Sequence, residues 1–184
     1  EAVIEADKFL LERVVDNFFI NAVENTSEGG FLAGRGTVVF DGNRTQQFEA
    51  QAPETFYNVT MNTSGELDMI ETAIGAILVV SNRLNLSRGV IRSYDNKVVY
   101  ISNTANSAVT GGNVNSFVDG PMTKRMLTGQ SFTFQVGNEG RYGRMAVLNT
   151  QGGSSPADWT VRYVNANYLP MEEENLNTPI TSVS

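Results

Sequence analysis

Short apolar, β-branched runs recur along this chain at nearly even steps, with polar turns between them. TVVFDG starts at Thr37, the strand FYNVTMN is centred on Asn58, AILVVS starts at Ala76 and KVVYIS at Lys97. Successive positions are 21, 18 and 21 residues apart. The same step reaches back 19 residues to Phe18 in FFINA and forward 19 residues to Ser116 in SFVDG. A spacing of about 20 with one dominant strand per unit predicts stacked coils, a β-solenoid or β-helix.

Within the coils, alternation assigns side chains to faces. Val59 and Met61 share one parity in TFYNVTMN and are expected inside, as are Leu84 and Leu86 in RLNLS, with Arg83 and Asn85 outside. The near-continuous apolar run AILVV predicts a strand covered on both faces, with Val79 inside. Residues 1–24 are less defined. Ile4, Leu11, Val15 and Phe18 can share a helical face, but AVIEA, KFLLE and FFINA read as strands, the preferred assignment because Phe18 keeps the spacing.

After Gly129 the pattern changes to three amphipathic strands, QSFTFQVG, RYGRMAVLNT and ADWTVRYVNA, joined by NEG and QGGSSP. Phe132, Phe134 and Val136 alternate on one face, and so do Trp159, Val161 and Tyr163. Asn138-Glu139-Gly140 is a hairpin turn. The expected organisation is β-solenoid coils over residues 1–128, an antiparallel meander or small sandwich capping them over 129–168, and a linker to a following module over 169–184. The chain opens on EAVIEADKF and closes on LNTPITSVS, which reads as a segment of something longer.

Composition supports an all-β class: glycine, asparagine, threonine and valine dominate, and charged residues are only 18% of the 184. The formal charge is −7, and no Lys/Arg stripe forms, which argues against nucleic acid as a partner. Lys124-Arg125 and the Arg141/Arg144 pair read as ordinary surface charges. No run of 18 apolar residues exists to span a membrane as a helix.

Candidate chemistry is sparse. There is no cysteine and no histidine, so disulfides, thiol nucleophiles and the commonest general base and metal ligand are absent. Asp41, Asp68 and Asp95 lie 27 residues apart at each step, out of phase with coils of about 20, and are not expected to form a column of paired carboxylates. Arg92 is expected to pair with Asp95 on the surface. Asp41-Gly42-Asn43 and Asp119-Gly120 lack the spacing of a calcium loop and read as turns. Gly34-Arg35-Gly36 precedes a strand, the reverse of a dinucleotide fingerprint. Tyr94, Tyr100, Tyr142 and Trp159 are candidates for a sugar platform, with Trp159 better placed as core. Asn58, Asn82, Asn85, Asn96 and Asn103 sit at or beside strand ends, where stacked coils can align amide ladders. No catalytic, cofactor-binding or metal residue is assigned, and no cofactor is expected.

The segment GTVVFDGNRTQQFEAQAPETFYNVTMNTSG resembles a repeated element of large surface proteins of the Bacteroidetes. In that element a G-T-V-x-F-x-G strand, a T-Q strand and an F-Y-N-L-x-I-N strand follow one another. FVDGPMTKRMLTGQSFTFQVGNEGRYGRMAVLN is similar to the element that comes next, with its V-x-G-x-M turn, F-x-F-P-V-G strand and G-x-Y hairpin. Gln135 and Arg144 stand where that pattern has proline. The likeness covers roughly residues 30 to 165. It implies a long, modular substrate of type IX secretion, of the gliding-motility adhesin kind, displayed at the bacterial cell surface. The implied role is structural and adhesive, with no enzymatic activity. The implied partners are the neighbouring modules of the same chain and, outside it, surface polysaccharide or other surface proteins. The alternative is a β-helix that binds or degrades polysaccharide.

Overall fold

Two 16-residue strands, each bent through two corners, carry the architecture. The computed structural model describes residues 34–50, 52–70, 77–93, 97–151 and 153–164. The readings made above for residues 1–24, Tyr94, Asp95, Asn96 and 169–184 lie outside these. In chain order the strands are β1 (Thr37–Gly42), β2 (Gln46–Phe48), β3 (Glu54–Met69), β4 (Ile77–Arg92), β5 (Val98–Ile101), β6 (Val109–Gly111) and β7 (Val118–Asp119). They continue with β8 (Met122–Met126), β9 (Phe132–Phe134), β10 (Val136–Asn138), β11 (Arg141–Tyr142), β12 (Met145–Val147) and β13 (Ala157–Val161).

The fold is all-β, a β-solenoid of about three turns with a separate small antiparallel sheet. Its ladders form three walls. The first stacks the start of β3 on the start of β4, then β5, then β8, all parallel. The second stacks β1, the middle of β3, the middle of β4 and β6. The third stacks β2, the end of β3, the end of β4, β7 and β10. The expected spacing is met residue for residue at two places: Thr37 lies opposite Asn58, and Ile77 opposite Val98. Elsewhere the coils are longer, because register shifts between β3 and β4 absorb extra residues.

Glycines make the corner between the second and third walls. A Cβ at Gly65 would run into the carbonyl of Arg44, and Gly89, with φ of 95°, leaves no room for one against Thr63. The corner stacks onward through the bond from the Gly89 N–H to the Asn115 carbonyl, 2.9 Å, and from Ser116 Oγ to the Gly89 carbonyl, 3.0 Å.

Alternation fills the interior. Val59, Met61, Leu84 and Leu86 are fully buried, as their parity predicts. In the run ILVV, Leu78 and Val80 are buried while Val79 is half-exposed in a column with Thr55 and Tyr100. The expectation that this strand is covered on both faces, with Val79 inside, is therefore corrected: uninterrupted apolar residues hid an ordinary one-sided strand.

Both the first and the third wall end on a strand of reversed direction. On the first, β13 pairs antiparallel with β8; on the third, β10 turns back into β11 through Glu139 and Gly140, both at positive φ. The small second sheet pairs β9 with β12, setting Phe134 opposite Met145. Phe132, Phe134 and Val136 are buried together as expected, and Trp159 and Tyr163 pack half-buried against the core.

Candidate functional site

Polar side chains on the outer faces are organised by the stacking. On the second wall, Asn58 Nδ2 donates to Thr37 Oγ1 at 3.2 Å, and Asn82 Nδ2 donates to Asn58 Oδ1 at 2.7 Å. Asn103 Nδ2 then donates to the Asn82 carbonyl at 2.9 Å. Four coils are thereby linked by one rail, which is the amide ladder expected of these asparagines. Two residues further along the wall, Thr110 Oγ1 donates to Asn85 Oδ1 at 3.3 Å, with Thr60 opposite Asn85 in the next coil. Between the two rails runs a shallow trough of about 450 Å³ whose lining includes Arg83.

Arg83 owes its place to a bulge. Phe56 lies opposite Val80 but Asn58 opposite Arg83, so β4 carries one residue more than β3 here. The extra residue breaks the alternation: Ser81 and Asn82 are half-buried and Arg83 is exposed, with no buried position among the three. Asn82 enters the rail and Arg83 stands beside it. The sequence carries only a faint trace of this, in the longer count from FYNVT to SNRLN.

The third wall carries a column of charge. Arg92 grips Glu66 with two bonds, Nε to Oε2 at 2.5 Å and Nη2 to Oε1 at 2.7 Å. It also reaches Asp119 Oδ2 from Nη1 at 3.1 Å, and that carboxylate accepts the Gly140 N–H at 2.9 Å. The guanidinium holds the Glu66 carboxyl below its ordinary range, chiefly through these hydrogen bonds. Arg92 was expected to pair with Asp95, four positions from it in sequence terms and outside the described residues. The partners found instead lie 26 and 27 residues away, because the coil is that long at this wall. A ruler of about 20 could not find them.

Asp41 lies opposite Asn62, and Asp68 opposite Gln47 on one side and Arg92 on the other, so these two aspartates do not stack on each other. The Asp41-Gly42-Asn43 turn places Gly42 at φ of 99°, and its carbonyl accepts from Thr63 and Ser64 hydroxyls. Tyr100 and Trp159 belong to the first wall, where the Tyr100 hydroxyl bonds Asp158 at 3.0 Å. Tyr142 belongs to the third, packed 5.7 Å from the Phe117 ring. These aromatics do not converge on one platform.

Lys124 is a correction. Expected on the surface, it is fully buried, because Met122, Lys124 and Met126 alternate inward along β8. Its amine reaches the carbonyls of Asn103 and, at 2.7 Å, Arg125, and lies 5.4 Å from the Phe132 ring centroid. No carboxylate is among these partners, and burial pulls its pKa down to about 8.

Comparison with family models, with curated proteins and with solved structures finds no match for the chain.

Proposed function

We propose that the chain is a non-enzymatic, structural and adhesive segment of a secreted, surface-displayed modular bacterial protein. The observation that carries this reading is the use made of outward polar groups. The Thr37–Asn58–Asn82–Asn103 rail and the Glu66–Arg92–Asp119 column both run across the coils, fastening each turn to the next. Such bonds stiffen a stack in the direction a spacer must resist. The resemblance of residues 30 to 165 to surface-protein elements of the Bacteroidetes supports secretion by the type IX pathway and display at the cell surface.

The chemistry at the charge column favours the same reading. A glycosidase needs one of two carboxyls kept protonated as the general acid. Both oxygens of Glu66 are gripped by Arg92, which favours the ionised form. Two measurements test the proposal. Incubation with a panel of neutral and acidic polysaccharides, with and without calcium, should release no reducing ends and no unsaturated products. Antibody against the chain should label intact cells of the bacterium that makes it. Turnover in the first, or labelling only after the cells are opened in the second, overturns the reading.

A further inference from the structure

We infer that the trough on the second wall is a binding subsite for an extended, carboxylate-bearing polysaccharide, held by Arg83 and the two polar rails. This rests on the adhesive reading above and gives it a site and a ligand class.

Three features of the trough point to that ligand. The first is the repeat. Its rails present amide and hydroxyl groups at each coil, at the interstrand spacing of about 4.8 Å. That is close to the rise per sugar of an extended glycan laid along the stack. The second is the free hydrogen-bonding capacity. With Oδ1 of Asn85 accepting from Thr110, its Nδ2 is left to donate outward, and Thr60 beside it adds a hydroxyl. Sugar hydroxyls, which both donate and accept, match such a surface.

The third feature is the charge. Arg83 is the one ionisable residue lining the trough, and it makes no ion pair among the described residues. The bulge in β4 puts it there, next to Asn82, in a place strict alternation would not have given it. A guanidinium with its fork unused is suited to a carboxylate. The surrounding field agrees. Although the whole chain is at −7, the described residues hold 11 of the 13 Lys/Arg and only 8 of the 20 Asp/Glu. The coil body is thus cationic, and an acidic polymer approaches it favourably. No aromatic ring lines the trough, so binding depends on hydrogen bonds and charge and should weaken with salt.

The test is affinity electrophoresis of the chain in gels containing polygalacturonate, hydroxyethylcellulose or dextran sulfate. The proposal expects retardation by polygalacturonate and none by the neutral glucan. Arg83→Gln, an exposed substitution that leaves the fold intact by circular dichroism, should lose at least about tenfold in affinity, the scale of one charge-assisted pair. Arg83→Lys should recover only part of it, and Arg141→Gln, an exposed arginine on another wall, should bind as the parent does. Equal losses at Arg83 and Arg141, or dextran sulfate bound with the same indifference to Arg83, would show attraction by net charge alone and overturn the site. Absence of retardation by polygalacturonate also overturns it. That last result leaves the adhesive role standing, since surface labelling tests that role separately.

Discussion

Replacing Lys124 with methionine should change how stability depends on pH far more than it changes stability at neutrality. In the folded chain the amine is buried among Met122, Met126 and Phe132, with carbonyls alone as hydrogen-bonding partners. Burial lowers its pKa from 10.5 to about 8. A lysine depressed in this way binds fewer protons folded than unfolded between those two values. Unfolding therefore becomes less favourable as pH rises through that window. The cost of the buried charge is fully present below about pH 8 and disappears above about pH 10.5. The whole difference is worth about 3 kcal/mol in a dry site, and about 2 kcal/mol once solvent screening at the end of the stack is allowed for. Methionine removes that cost but leaves two carbonyls without a donor, a loss of about 1–3 kcal/mol that does not vary with pH. At pH 7 the two effects nearly cancel. Urea unfolding followed by the fluorescence of Trp159, the single tryptophan, at pH 7, 8.5 and 10 isolates the term. The parent should gain about 2 kcal/mol on the variant across that range. Parallel curves would mean that the amine reaches water and that its burial has been misjudged.

Three further outcomes follow from the packing. Leu78→Asp should cost at least about 3 kcal/mol in a denaturation series and Val79→Asp less than half as much, since only the first places a carboxylate in the core; equal costs would refute the facing. Arg92→Met should destabilise by about 2–3 kcal/mol by stranding Glu66 and the buried Asp119. Because Glu66 is held below 4.5, its pairing energy is present above that pH and lost as pH falls through the folded value. The parent should therefore lose more stability between pH 5 and pH 3 than Glu66→Gln does, as read by thermal midpoints. Gly89→Ala should cost more than about 2 kcal/mol by forcing a Cβ against Thr63 at a φ of 95°, and a midpoint within a degree of the parent would show that the corner relaxes freely.

Much of the fold was legible because the solenoid repeats its own grammar. The step from Thr37 to Asn58 is the real register, and the parity of Val59, Met61, Leu84 and Leu86 follows directly from alternation. What stayed hidden has one physical cause in two forms. Coils at the third wall are 26 and 27 residues long where the first begins at 21, so a fixed ruler misses the partners of Arg92. The bulge that exposes Arg83 is a single added residue, invisible to any count coarser than the ladder itself. Lys124 was misplaced for a different reason. Its charge outweighed the parity of the methionines on either side, although a long aliphatic stem can obey parity and still deliver its amine to a carbonyl.

The reversed strands at the end of the first and third walls set a limit on how such a chain can lengthen. Between Thr37 and Met126 every described coil lies parallel to its neighbours, so an inserted copy of one would meet templates of the right polarity above and below. Past β13 and β11 the polarity is wrong, and a further coil has no parallel edge to join on either wall. Growth of the stack, whether by gene duplication or by one molecule docking end-on against another, is terminated there much as a chain-stopper terminates a polymer. New length has to enter upstream of that end or arrive as a separately folded module beyond it.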